Sequence, residues 1–162
     1  MDADRGLTAE GQRQAKECAA FMVRHIGRVD IIVSSPFKRT METADVMAKA
    51  LGAHVVSSKM FEPDGEPPAM WAEVERIAQA SEHVLIVGHD PSINKLLAWL
   101  ISGGRTRFEH GAIAHVKVMQ KTTDHPQVVG TLHWFVDVKI IERDVLEDVA
   151  EAAASLADAL AT

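Results

Sequence analysis

One cysteine, Cys18, is all that the 162 residues contain, so no internal disulfide can form and the chain suits a reducing interior. A free cysteine is usually buried, and Cys18 is expected to pack on a helix face. No apolar run reaches 18 residues, which removes any expectation of a transmembrane helix. There is no basic run either: 17 Lys and Arg stand against 23 Asp and Glu, a formal net charge of −6, and nothing favours a nucleic-acid partner. A negative total still permits a local anion site. The start, "MDADRGLTAEG", is polar and acidic where a signal peptide would be basic and apolar, so a cytoplasmic protein with no membrane partner is expected. Without repeats, low-complexity tracts or a linker, residues 1–162 are expected to form one domain. That length suffices to bury roughly 70% of the unfolded surface.

What is present is an alternation of helical and strand patterns. Thr8 can cap a first helix whose body runs from Gln12 to Ile26, with Ala15, Cys18, Ala19, Met22, Val23 and Ile26 at helical spacing and Gly27 as a stop. A short buried strand follows over Asp30–Ser34, then a helix from about Pro36 to Leu51 and a brief strand over His54–Ser58. The break-rich loop "FEPDGEPP" leads into a helix over about Ala69–Ala80. "HVLIVGH" is the clearest strand, and a helix from Ser92 to Ile101 follows it. "AIAHVKVM" and "GTLHWFVDV" read as an antiparallel pair joined by a polar loop, and an alanine-rich helix closes the chain over about 143–162. Such alternation implies an α/β fold, a mostly parallel sheet with helices on both faces.

In open parallel sheets, ligands bind at the carboxyl ends of strands. Two strand ends here share a construction. In "VSSPFKRT" the strand runs out at Ser34, Ser35 is a candidate cap, Pro36 takes the first helical position, and Lys38 and Arg39 follow. In "VGHDPS" Gly88 permits close approach, His89 follows, Asp90 caps and Pro91 opens the helix. Each loop launches a helix whose free amides favour an anion, and each supplies a nitrogen side chain. An Arg fork beside an imidazole suits a phosphoryl group with several oxygens to share. The competing arrangement pairs Arg39 with Glu42 or Asp45 and leaves His89 merely packed.

Other conspicuous residues fit structural roles. Arg24-His25 falls in the last turn of the first helix, where cations favour the dipole's negative end, and is expected to be a decoy. His54, His83, His110, His115, His125 and His133 have no tight ligand spacing, so no metal is expected. Ser34 and Ser35 lack nucleophile-elbow glycines, and Trp71, Trp99 and Trp134 are expected in the core.

"DRGLTAEGQRQA", "IIVSSPFKRTMETA" and "VLIVGHDPSINKL" resemble, in order and spacing, signature segments of the histidine phosphatase superfamily; the short connections resemble its SixA-type branch, the phosphohistidine phosphatases. The resemblance runs from about Asp4 to Trp134. It implies a phosphoglycerate mutase-like fold and a phosphate pocket that includes Arg39 and His89, with Ser35 as a further phosphate-binding candidate. A covalent mechanism is also implied, in which a neutral imidazole attacks phosphorus and water hydrolyses the phosphoenzyme. No cofactor or metal is implied. Glu62 is the candidate general acid for ester substrates, and the partner is a phosphorylated protein or a small phosphomonoester. The family's first strand, with its RHG nucleophile, precedes the "LTxxG" segment, and only Met1 to Gly6 stand before that segment here. The expectation is therefore a chain that begins late, through a misassigned start or a shortened form, with a divergent pseudo-enzyme or another group standing in for the nucleophile as the alternatives, and the activity of this chain is left open. A gap in the sheet with unpaired strand edges should follow, leaving the chain poorly stable or closed by strand rearrangement or by pairing with a second molecule.

Overall fold

The computed structural model describes residues 2–104, 106–119 and 128–160. Most of the polar loop expected between the last two strands, and His125 within it, lie outside the described residues.

After a 3-10 turn at Asp2–Asp4, helix α1 spans Ala9–His25. The Thr8 side chain accepts the Gly11 amide at 3.0 Å, supplying the expected cap. Gly27 ends the helix at φ +80°, a left-handed conformation that costs glycine little, and its amide reaches Met22 O at 3.0 Å. Strand β1 (Ile31–Ser34), helix α2 (Lys38–Leu51), strand β2 (His54–Ser57), helix α3 (Pro67–Ile77), strand β3 (Val84–Val87) and helix α4 (Ser92–Leu100) follow in alternation.

The three strands form a parallel sheet in the order β2-β1-β3, with Ile32 opposite Val55 on one side and Leu85 on the other. Strands β4 (Ile113–Met119) and β5 (Val129–Val136) pair antiparallel, as their alternation implied, with an irregularity between His115 and Val116. Helix α5 (Val138–Leu160) completes the chain.

Helices cover both faces. On one, Cys18, Phe21 and Met22 of α1, Ala44 and Met47 of α2 and Ile141 of α5 pack with Ile32, while Leu85, Val87, Ile113, Trp134 and Val136 border the same cluster. On the other, Met70 and Val74 of α3 and Leu96 and Leu100 of α4 pack with Val33 and Phe61, bordered by Val84, Ile86 and Val118. Both cores thus run from β3 to the β4–β5 pair, yet no ladder joins those elements among the described residues. The interruption expected in the sheet falls there. Every β1 side chain beyond Ile31 is buried, whereas all four of β3 keep partial exposure despite helices on both faces.

Several expectations need correcting. Helix α2 begins at Lys38, not Pro36: Phe37 is still extended (φ −62°, ψ 140°), so Pro36 precedes the helix instead of opening it. Pro91 is likewise outside α4, and the Asp90 carboxylate accepts from the Asn94 side chain instead of a backbone amide. Helix α3 starts at Pro67, with proline in the first turn where its missing N–H costs nothing. Helix α5 begins at Val138, five residues before the expected 143, because the Asp137 carboxylate receives the amides of Lys139 and Ile140 at 2.8 and 3.1 Å. Trp99 is 37% exposed and lies at the edge of α4's buried stripe of Ser92, Leu96, Leu97 and Leu100. No described helix is long and apolar enough to cross a membrane.

Candidate functional site

The candidate site forms where β1 and β3 leave the sheet together. Ser34 and Val87 are register partners, and the Ser35 amide still reaches Val87 O at 3.1 Å. The chain therefore exits at Ser35 and at Gly88-His89 side by side, and residues 50 positions apart in sequence become neighbours. Arg39, in the first turn of α2, donates from Nη2 to His89 Nδ1 at 3.1 Å. The competing arrangement is not seen: Glu42 instead accepts the Leu7 amide at 2.6 Å.

His89 is buried, and its Nε2 lies 2.8 Å from Ser35 Oγ. Burial is the main force holding its pKa below the ordinary value, the Arg39 charge adds to this, and Asp2 opposes it. The arginine donor facing Nδ1 requires a lone pair there, so the imidazole is neutral in the resting site. Ser35 is fully buried, and its hydroxyl oxygen also accepts the Phe37 amide at 3.3 Å. The Ser35 hydroxyl, expected to contact phosphate, is thus engaged inside the protein by the imidazole and the Phe37 amide. Ser34 turns its hydroxyl onto Ser35 O at 3.0 Å, and Thr40 donates to the same carbonyl at 3.0 Å, fixing the loop.

Two site residues carried no signal of their own in the sequence. The Phe37 ring lies 5.0 Å from the Arg39 guanidinium carbon and meets His89 edge-on at 4.8 Å between ring centroids. One aromatic thus packs against both the cation and the imidazole. Asp2, in the N-terminal 3-10 turn, takes up the Arg39 fork: Nη1 donates to Asp2 O at 3.0 Å, and Nη2 lies 3.1 Å from Asp2 Oδ2. A carboxylate thus rests where an incoming oxyanion would have to engage the guanidinium.

Glu62 follows Phe61, whose carbonyl lies 3.7 Å from where a Cβ on Gly88 would be, so this loop borders the exit of β3. Its carboxylate is not hydrogen-bonded to Arg39 or His89. Gly88 would meet nothing nearer than 3.6 Å if it carried a Cβ, so the close approach expected there is not imposed by the protein's own packing.

Arg24 and His25 lie elsewhere. Both engage Asp144 of α5, at 2.8 and 3.2 Å, and Arg24 also pairs with Asp148, so they fasten α1 to α5. Among the described residues no group of three or more His, Cys, Asp or Glu is arranged to hold a metal ion.

Residues 1–62 match the family model described as Histidine phosphatase superfamily (branch 1). A curated relative, an uncharacterized protein of Picosynechococcus sp., is 32% identical over 96 residues, which is 58% of this chain and 58% of the relative's own length. The structure described as the protein histidine phosphatase SixA complexed with tungstate superposes with a TM-score of 0.73 at 22% identity, covering 87% of this chain and 89% of that one. A mycobacterial glucosyl-3-phosphoglycerate phosphatase complexed with VO3 gives a TM-score of 0.66 at 14% identity, covering 83% and 88%. The fold is that of these phosphatases, and over residues 1–62 the family model bears out the resemblance read from the sequence.

Proposed function

We propose that this chain is a phosphatase of the histidine phosphatase type, with phosphohistidine in a protein as its substrate. The observation that carries this is the 3.1 Å contact between Arg39 and His89, which joins two helix-launching strand ends into one cationic, nitrogen-rich site. A phosphoryl group there would take charge-assisted bonds from the planar guanidinium and a further bond from the imidazole. Both strengthen as negative charge develops on the transferring group. The tungstate and VO3 bound by the two structural neighbours are oxyanions of the same kind.

In the covalent mechanism the nucleophilic imidazole forms a nitrogen–phosphorus bond as the substrate's imidazole leaves. Water then cleaves the new bond and releases phosphate. Among the described residues no second imidazole contacts Arg39 or His89. An imidazole is a good leaving group, so phosphohistidine places little demand on a general acid such as Glu62. A small phosphomonoester is the second reading, favoured by the activity named for the mycobacterial neighbour, and there Glu62 would have to supply a proton.

Titration with tungstate or inorganic phosphate tests the site. Arg39→Ala and His89→Ala should each weaken binding by about tenfold or more, the equivalent of one charged hydrogen bond. Affinities equal to that of the unaltered chain would remove the assignment. Turnover of a phosphohistidine protein but not of sugar phosphates supports the first reading, and the converse pattern supports the second. Binding without turnover of either marks a non-catalytic phosphate-binding protein.

A further inference from the structure

The Ser35–His89 contact lies wholly inside the protein, and the bonding rules at its two ends leave one solution. Arginine has five donors and no acceptor, so the His89 Nδ1 that faces Arg39 Nη2 at 3.1 Å must present a lone pair. The single ring proton of a neutral imidazole is then on Nε2, which faces Ser35 Oγ at 2.8 Å. That oxygen also receives the Phe37 amide at 3.3 Å, so both of its lone pairs face donors. Ser35 is completely inaccessible to solvent.

We infer that Ser35 is a positioning residue for the Arg39–His89 site: its hydroxyl oxygen accepts the Nε2–H of His89 in both protonation states, so that Nδ1 alone changes from acceptor to donor when an oxyanion arrives. This rests on the oxyanion reading of the site. In the resting site the groups facing His89 are Arg39 from α2, Asp2 from the N-terminal turn, and Ser35 and Phe37 from the β1–α2 link. An anion that takes up the Arg39 fork opens the Nη2–Nδ1 contact, so Nδ1 no longer faces a donor, and its negative charge favours the imidazolium. The second proton comes from solvent or from a monoprotonated phosphate, settles on Nδ1 and is donated to an anion oxygen. Nε2–H stays on Ser35 throughout. The ring need not turn, and the edge-on contact with Phe37 at 4.8 Å is kept. Without the Ser35 hydroxyl, a buried N–H would lack an acceptor. The tautomer with the proton on Nδ1 would relieve that cost but would set N–H against N–H at Arg39.

The ring nitrogens of His89 report this directly in a 15N-resolved NMR spectrum of the whole chain, with and without inorganic phosphate. The expected result is the Nε2–H tautomer in the free protein and a doubly protonated ring with phosphate bound. Ser35→Ala should give a mixture of tautomers and bind phosphate about fivefold more weakly, the equivalent of one ordinary hydrogen bond. A free protein with the proton on Nδ1 would overturn the inference, and that spectrum decides it even where the alanine variant does not fold. Ring shifts unchanged in a folded Ser35→Ala protein would overturn it as well. Failure of phosphate to bind would sink the oxyanion reading and the change at Nδ1 with it, while the free-state tautomer would still judge the resting role of Ser35. Turnover is not read in any arm, so a chain that binds phosphate without hydrolysing substrate leaves the two proposals separable.

Discussion

Asp2 holds the guanidinium that a substrate would need, so removing its charge should improve anion binding. Asp2 Oδ2 lies 3.1 Å from Arg39 Nη2, and in bulk water two unit charges at that distance attract by about 1.3 kcal/mol. The Asp2 side chain is 59% exposed and that of Arg39 22%, so solvent and salt reduce the pair toward the value of an exposed ion pair, about 0.5–1 kcal/mol. Asp2→Asn leaves the backbone bond from Arg39 Nη1 to Asp2 O in place, so only the charge is lost. A phosphate ion that no longer displaces the carboxylate should bind about two- to fivefold more tightly at low ionic strength. The assay is calorimetric titration of unaltered and Asp2→Asn protein with inorganic phosphate, repeated at increasing chloride. The gain should shrink as the Debye length falls to about 10 Å at 0.1 M salt and below. Unchanged or weaker binding by Asp2→Asn at low salt would refute the view that Asp2 and substrate share one cation.

Three further outcomes follow from individual side chains. Hydrogen bonds from Arg76 and then from Ser58 hold the Glu73 carboxyl down at about 2 from its ordinary 4.5, so its stabilising contribution is present above 4.5 and is lost as the pH falls toward 2. Glu73→Gln should flatten the melting temperature against pH across that window, and an unaltered acid limb would count against the pairing. Burial, with Glu17 and Glu142 nearby, pushes the Cys18 thiol up to about 12, so a thiol reagent at pH 8 should label it only on unfolding; native labelling at the rate of a free thiol would show that α1 does not seal this face. Phe61 is fully buried beside Gly88, and Phe61→Ala should cost about 3–5 kcal/mol of stability in urea unfolding, with a loss below 1 kcal/mol contradicting the packing described.

The sheet and its helices were legible because their signals are local. Period-two and helical apolar spacing located every long element, and the resemblance in "SSPFKR" and "GHDPS" implied that Arg39 and His89 share one pocket. The errors lie at element ends, where side-chain chemistry competes with pattern. Proline at positions 36 and 91 looked like a first helical residue, but Phe37 remains extended and Asp90 turns to Asn94. The start of α5 was hidden because Asp137 sits inside the strand-like run "FVDVKII", where a cap reads as an interruption. Ser35 was read as a loop residue and a phosphate-binding candidate, and its bond to His89 was not legible because that neighbour lies 54 positions away. Asp2 and Phe37 could not be found at all: their roles exist only once the fold brings Arg39 against them.

Among the described residues, strand β3, which delivers His89, is zipped along one side only. The carbonyls of His83 and Val87 accept from Asp30 and Ser35, so His83, Leu85 and Val87 turn their backbone groups toward β1. By strand alternation Val84 and Ile86 turn theirs outward, to an edge with no ladder partner among the described residues. Deuterium from solvent would therefore enter this one strand at two tempos, quickly at the even positions and slowly at the odd. Each loosening of that free margin carries His89 with it, so the spacing between imidazole and guanidinium is only as steady as the half-tethered strand beneath it.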